Sequence, residues 1–209
     1  MQPFAVKFCM QSDVGGRSHN EDVVYAYEHP KMDMKVFAVA DGMGGPKAGE
    51  IASKMAINTL SEFFTTDETD VPSELRKIIQ SANQQIYKAS SNPKYAGMGT
   101  TLTVAVLQKS KLYLGHVGDS RAYIIKNGNI MQLTEDHSLV ANLVKLGQIT
   151  PEEARVHPRR NIITRALGTQ ADVEVDILQM HVKPTDIILL CTDGLTNYVE
   201  DSEILAIVA

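Results

Sequence analysis

Three short apolar segments of this sequence each run into an aspartate, and this feature constrains the fold most. The junctions are Val39-Ala40-Asp41-Gly42, His116-Val117-Gly118-Asp119-Ser120 and Cys191-Thr192-Asp193-Gly194. Short apolar segments rich in β-branched residues are typical of buried strands. If the three strand ends lie on one edge of a sheet core, they form an oxygen-rich pocket that suits Mg²⁺, Mn²⁺ or Ca²⁺ rather than zinc. Asp-Gly is also common in ordinary turns, so each junction alone would favour a turn.

The same composition rule predicts the strands of a larger sheet core. A tight hairpin is expected at Asn127-Gly128, because Asn-Gly supplies the positive φ angles that such a turn requires. The predicted strands are 36–40, 102–107, 111–117, 121–125, 130–133 and 186–191.

Apolar residues at helical spacing predict helices around 51–64, 75–86 and 139–146, the last ending at Gly147. Thr150-Pro151-Glu152-Glu153 has the spacing of a capping box and begins another short helix. The apolar stretch 204–208 resembles a helix that no Gly, Pro or basic turn closes, so we expect a truncated sequence. Hairpin-connected strands with separately grouped helices predict antiparallel sheets covered by helices.

Length and charge exclude several functional classes. The 209 residues favour a single domain over residues 1–209, since a typical domain has about 150 residues. A net charge of −5 argues against a nucleic-acid surface. There is no apolar run of the roughly 20 residues that span a bilayer, and no signal peptide is recognised. Two cysteines are too few for a disulfide scaffold. We expect a cytoplasmic monomer with no nucleic-acid or membrane partner.

Other segments of the sequence contain residues that could take part in catalysis or phosphate binding. The Arg17-Ser18-His19-Asn20-Glu21-Asp22 stretch places a guanidinium, which binds phosphate bidentately, close to two carboxylates, although an exposed ion pair is the ordinary alternative. The Gly-rich segment 41–50 fits neither the Walker phosphate-loop spacing nor the G-x-G-x-x-G spacing of dinucleotide-binding proteins. No nucleotide cofactor is therefore predicted. Cysteine-based phosphatases pair the catalytic cysteine with an arginine six positions later, and neither cysteine of this sequence has such a partner. The six histidines lack the spacing of a metalloprotease motif or a catalytic triad.

Taken in order, these motifs resemble those of the metal-dependent protein phosphatases, in the bacterial branch of the protein phosphatase 2C-like enzymes. The region 135–168 resembles the flap of that family and its following strand, and we refer to 136–162 as the flap segment. The matching motifs are Arg17-Ser18-His19-Asn20-Glu21-Asp22, Ala40-Asp41-Gly42-Met43-Gly44-Gly45, Gly99-Thr100-Thr101, Gly118-Asp119-Ser120-Arg121 and Thr192-Asp193-Gly194.

The resemblance implies an α+β fold in which two antiparallel sheets pack as a sandwich, with helices on both sides. It implies hydrolysis of phosphoserine and phosphothreonine in proteins by a metal-activated water, at a centre of two to three Mn²⁺ or Mg²⁺ ions. A Ser/Thr protein kinase would be the functional counterpart. The alternative is a catalytically silent relative that binds phosphoproteins or regulates a partner.

The resemblance also implies roles for particular residues of this sequence. Asp41 resembles the carboxylate that bridges two ions, and the Gly42 carbonyl resembles a ligand of the second. Asp193 resembles a ligand of the first ion, and with Asp119 it resembles a third-metal site. The remaining implied roles are water-mediated metal binding by Asp22 and, more loosely, Glu21, and phosphate binding by Arg17.

The sequence departs from the family pattern in two places. A further metal-ligand aspartate, usually found in an Asp-Asn-x-Thr motif, does not occur before the sequence ends at Ala209, so we expect either a fragment or a natural short form with impaired metal affinity. Where many relatives have a general-acid histidine, this sequence has Met43 and Pro46, and neither can donate a proton. We therefore expect slower hydrolysis of phosphoserine than of an activated aryl phosphate, which hardly needs an acid.

Overall fold

The computed structural model describes residues 6–29, 32–45, 47–63 and 70–208. Nine strands and six α-helices lie in this part of the chain, with a 3₁₀ turn at Pro93–Tyr95. The strands are β1 Asp22–Glu28, β2 Met34–Met43, β3 Gly99–Thr100, β4 Leu102–Gln108, β5 Lys111–Val117, β6 Arg121–Lys126, β7 Asn129–Gln132, β8 Asp176–His181 and β9 Ile187–Cys191. The helices are α1 Ala48–Phe63, α2 Val71–Ser90, α3 Leu139–Lys145, α4 Pro151–Val156, α5 Asp193–Thr196 and α6 Asp201–Val208.

The strands form two antiparallel sheets. The larger has the order β1-β2-β4-β5-β8, with the short β3 paired to the end of β2. The smaller has the order β7-β6-β9. Every named pairing is antiparallel, which agrees with the hairpin connections of the sequence.

Alternation of side chains along the strands separates two apolar cores. On β4, Val104 and Val106 belong to the core under the helices, whereas Ala105 lies in a second core between the two sheets. That second core also holds Ala122 and Ile124 of β6, because successive strand residues point to opposite faces.

Helices cover the outer faces of the sandwich. Helices α1 and α2 pack on the large sheet, against β2 and β5 respectively. Helix α6 contacts β7 of the small sheet and buries Ile204. The α+β sandwich with outer helices that the sequence predicts is confirmed.

Most of the predicted elements are present. Asn127 and Gly128 have φ angles of 51° and 73° and form the β6–β7 hairpin turn. The capping box of α4 is formed, since Thr150 and Glu153 bond each other's backbone N–H groups. Helix α3 ends as expected before Gly147, whose φ is 69°. Phe64, at the end of the predicted 51–64 helix, lies outside the described residues.

Four elements were not predicted from the sequence: β1, β3, β8 and the short α5. The last predicted strand begins one residue too early, because Asp186 lies in a turn and its carboxylate accepts the Lys183 N–H at 2.9 Å. In the described ranges, no helix is long and apolar enough to cross a bilayer.

Candidate metal centre

Two of the predicted site residues are neighbours across the first strand pair. Asp22 on β1 lies opposite Asp41 on β2 in the antiparallel register. A second contact links Asp22 to the other sheet, because the hydroxyl of Thr192 at the end of β9 donates to Asp22 Oδ2 at 2.8 Å. The sandwich therefore brings two strand ends from different sheets to one place.

The backbone of Asp41 is held by two threonines at the β3–β4 junction. The Asp41 N–H donates to Thr101 Oγ1 at 2.9 Å, and the Asp41 carbonyl accepts from the Thr101 N–H and the Thr100 hydroxyl, both at 2.9 Å. Thr101 Oγ1 also lies 2.7 Å from Ser120 Oγ, beside Asp119. Thr101 thus connects the strand end at Asp41 to the strand end at Asp119.

Asp119 follows β5 at a sharp turn through Gly118, whose φ is +118°. A Cβ on Gly118 would lie 2.5 Å from Thr101 Cβ, so the approach of these two segments requires glycine. Asp119 is buried, and its Oδ1 has no hydrogen-bond partner among the described residues.

Asp193 is the first residue of α5, directly after Thr192. Its Oδ2 accepts from the Asn197 side-chain amide at 2.9 Å. The charge of Asp193 contributes to the raised pKa values of Asp22, Asp41 and Asp119. The structure therefore gathers the four predicted aspartates into one electrostatic group.

The electrostatics of this group oppose full ionisation. Burial, followed by the charges of Asp22, Asp193 and Asp119, raises the pKa of Asp41 to about 9. Burial and the charges of Asp193 and Asp136 raise the pKa of Asp119 to about 7. Burial also raises the pKa of Asp22, against the effect of its Thr192 hydrogen bond. Groups of carboxylates that repel one another in a buried site are stabilised by a cation between them.

The donor set fits a hard divalent cation that keeps part of its water shell. Within the described ranges, no three His, Cys, Asp or Glu side chains form a group that could enclose an ion by themselves. Mg²⁺ is typically bound by one or two carboxylates, with several waters completing its shell. The orphaned Asp119 Oδ1 and the raised pKa of Asp41 are what such a site would show without its ion.

Gly42 lies where the end of β2 meets the beginning of α1. A Cβ on Gly42 would collide with the carbonyl oxygen of Gly49 and lie 2.8 Å from the Glu21 carbonyl. The Gly42 N–H donates to that Glu21 carbonyl at 3.2 Å. Helix α1 can therefore approach β2 this closely only where residue 42 has no side chain.

Arg17 and Glu21 lie at the border of the aspartate group. Arg17 is exposed, and its positive charge opposes the rise that burial causes in the pKa of Glu21. Burial raises the pKa of Asp22 as well, and the charge of Arg17 opposes that rise too, so Arg17 lies within electrostatic range of both carboxylates. Met43, one of the two residues that stand in place of the general-acid histidine of many relatives, ends β2, and Pro46 lies outside the described residues.

A cavity of about 470 Å³ opens beside Asp119 and Asp193, and the flap segment forms much of its lining. Within it, Arg121 and Asp136 form a bidentate pair with distances of 2.7 to 3.0 Å. Burial lowers the pKa of Arg121, but the hydrogen bonds and charge of Asp136 outweigh it and raise the pKa further. Arg121 is therefore always charged, and Asp136 neutralises that charge. Flap Arg160, which also lines the cavity, has no side-chain ion pair with any described residue.

Two buried histidines near Asp119 were not singled out from the sequence. His116 on β5 lies against His137, with ring centroids 4.8 Å apart. Burial lowers the pKa of His116 to about 4 and also lowers that of His137, so both rings are neutral at pH 7. The spacing of these two histidines in the sequence does not indicate a role in the site, because only the fold brings their rings together near Asp119.

The chain matches the family model described as protein phosphatase 2C over residues 12–208. It is 46% identical to the serine/threonine phosphatase stp of Listeria welshimeri over 193 residues, which are 90% of this chain and 76% of that protein.

Solved structures give the same result. Serine/threonine phosphatase Stp1 from Staphylococcus aureus superposes with a TM-score of 0.87 at 38% identity, covering 98% of this chain and 85% of that one. The catalytic domain of the serine/threonine protein phosphatase PstP, solved in complex with two manganese ions, superposes with a TM-score of 0.81 at 38% identity. That alignment covers 91% of this chain and 78% of the PstP chain.

Proposed function

This chain belongs to the protein phosphatase 2C family, and we propose that it hydrolyses phosphoserine and phosphothreonine in proteins. It is an enzyme, a metal-dependent protein serine/threonine phosphatase. The observation that carries the proposal is the group of four aspartates, in which buried Asp119 Oδ1 has no partner among the described residues and Asp41 has a pKa of about 9. Without a cation the carboxylates of this group repel one another, and their oxygens are the ligands that Mn²⁺ and Mg²⁺ prefer.

We assign the metal ligands to residues that three different strand ends supply. Asp41, Asp193 and Asp119 would bind through their carboxylates, and Gly42 through its carbonyl. Asp22 and Glu21 would hold coordinated waters. Two to three ions of Mn²⁺ or Mg²⁺ would occupy this centre. When bound, the ions supply the charge that acidifies a water and offsets the negative charge of the phosphate.

The residues of this chain orient the substrate around that centre. Arg17 is exposed at the border of the aspartate group, where its guanidinium would hold two oxygens of the phosphate. The cavity beside Asp119 has room for the residues that flank a phosphoserine. Attack by water forms a new P–O bond and breaks the bond to the serine oxygen. The products are inorganic phosphate and a serine hydroxyl.

No covalent phosphoenzyme is required in this scheme. Arg121 does not act on the substrate, because Asp136 already occupies its guanidinium. The flap segment 136–162 belongs to the same single domain and forms one wall of the substrate cavity. We propose that the chain acts in the cytoplasm as a monomer on phosphoproteins and opposes a Ser/Thr protein kinase.

The test is hydrolysis of p-nitrophenyl phosphate by the 209-residue chain with Mn²⁺, and then with excess chelator. We expect turnover that requires Mn²⁺ and that Asp41→Asn abolishes. Asp172→Asn is the matched control, because it makes the same chemical change on an exposed carboxylate outside the aspartate group.

Two results would contradict the proposal. Full activity in Asp41→Asn would remove Asp41 from the mechanism. Phosphopeptide binding without any metal-dependent turnover would identify the chain as a silent member of the family instead.

A further inference from the structure

His137 binds both backbone polar groups of Gly118, its N–H and its carbonyl. Its backbone N–H donates to the Gly118 carbonyl at 2.8 Å, and its ring Nδ1 accepts the Gly118 N–H at 3.0 Å. Gly118 immediately precedes Asp119 and has a φ of +118°. The direction of the Asp119 side chain therefore depends on a turn that His137 clamps.

The Gly118 N–H fixes the tautomer of His137. Nε2 lies 3.1 Å from Asp176 Oδ2 and 2.9 Å from Arg165 Nη1, and the same Nη1 donates to Asp176 Oδ1 at 2.7 Å. The Gly118 N–H can only donate, so Nδ1 is unprotonated and the neutral ring carries its proton on Nε2, where the Asp176 carboxylate accepts it. The His137 side chain is only 8% exposed, and the His116 ring packs against it.

His137 also lies where the flap segment begins, next to the chain that returns from it. Its carbonyl accepts the Thr164 N–H at 2.8 Å, on the chain that returns from the flap. The next residue, Ser138, forms a β-bridge with Ile163. One residue thus contacts the turn before Asp119, the two ends of the flap and the edge strand β8.

We propose that His137 is a positioning residue for Asp119: its unprotonated Nδ1 holds the Gly118 turn and ties it to the base of the flap. The inference rests on the proposed function in that Asp119 is taken as a metal ligand. His137 itself touches neither ion nor substrate. Groups that orient a metal ligand typically alter metal affinity by about 10- to 100-fold when removed.

Two substitutions separate this role from simple packing. In His137→Asn, the amide oxygen lies near the position of Nδ1 and can accept from Gly118, but the contact to Asp176 is lost. In His137→Gln, the amide nitrogen reaches towards Asp176, but the acceptor for Gly118 is lost. Both variants remove the ring, so a purely structural role predicts equal effects.

The measurement is Mn²⁺ binding by isothermal titration calorimetry, with the unfolding temperature in chelator as the check on folding. We expect His137→Gln to lower the affinity for the Mn²⁺ ion that Asp119 binds by about tenfold. We expect the Mn²⁺ affinity of His137→Asn to remain close to that of the wild type. Equal affinities in the two variants, whether lowered or unchanged, refute the inference. A wild-type chain that binds no Mn²⁺ refutes the proposed function and, with it, this inference.

Nitrogen-15 NMR of the unaltered protein gives an independent answer if a variant fails to fold. The inference requires His137 to show a protonated Nε2, an unprotonated Nδ1 and a Gly118 amide protected from exchange. A ring protonated at Nδ1 would overturn it whatever the variants do.

Discussion

Thr101→Val tests whether the contact between the Asp41 and Asp119 segments stabilises the site. The side chain of Thr101 is fully buried, and its hydroxyl accepts the Asp41 N–H and pairs with the Ser120 hydroxyl. Valine keeps the shape of threonine but removes both hydrogen bonds. The Asp41 N–H and the Ser120 hydroxyl then lose these partners inside the protein.

The expected loss follows from the cost of these two unsatisfied groups. Each buried polar group without a partner costs about 1–3 kcal/mol, and we expect about 2–4 kcal/mol for the pair after local relaxation. For a domain of this size, that loss lowers the unfolding temperature by about 4–16 °C.

The assay is urea and thermal unfolding in excess chelator, so that metal binding does not contribute to stability. Thr101→Ser is the matched control, because it keeps the hydroxyl and removes the methyl group that contacts Gly118. We expect the serine variant to lose less stability than the valine variant. A Thr101→Val variant within about 0.5 kcal/mol of the wild type would show that these hydrogen bonds do not hold the two segments together.

Three further predictions concern the site directly. Arg17→Ala should raise KM for p-nitrophenyl phosphate by about tenfold or more with Mn²⁺ affinity unchanged, because one charge-assisted contact to phosphate is lost. Steady-state kinetics measure this change. Lys111→Ala is the control: it removes a positive charge at the far end of β5, so it shows whether losing any positive charge raises KM. In chelator, the free energy of unfolding should fall as pH rises from about 4 towards 9, because Asp41 ionises near pH 4 when unfolded but at about 9 when folded. Urea titrations across this range should show a shallower fall for Asp41→Asn, and an unchanged slope would contradict the raised pKa. A phosphoserine peptide should turn over more slowly than p-nitrophenyl phosphate, since Met43 cannot protonate the leaving group; equal kcat values would count against this reasoning.

Local chemistry explains which parts of the fold could be predicted. The Asn127-Gly128 turn and the Thr150 capping box are formed as expected, because each depends on residues within four positions of one another. The strands β1 and β8 were missed, and they are the two edges of the large sheet. An edge strand pairs on one side only, and both sequences are mixed in polarity, so the neighbouring strand decides their structure.

The strand ends that run into Asp41, Asp119 and Asp193 can be predicted from local sequence, since the period of a strand and the conformation of a turn are local properties. The sequence also carries the motifs by which the family is recognised. Whether these carboxylates share one group was decided only by the packing of the two sheets, which brings Thr192 to Asp22 across 170 positions of sequence. The same packing buries Asp119 Oδ1 without a partner among the described residues and turns His137 Nδ1 towards Gly118. Distances between distant segments fix charge repulsion and tautomers, and no local pattern of residues encodes those distances.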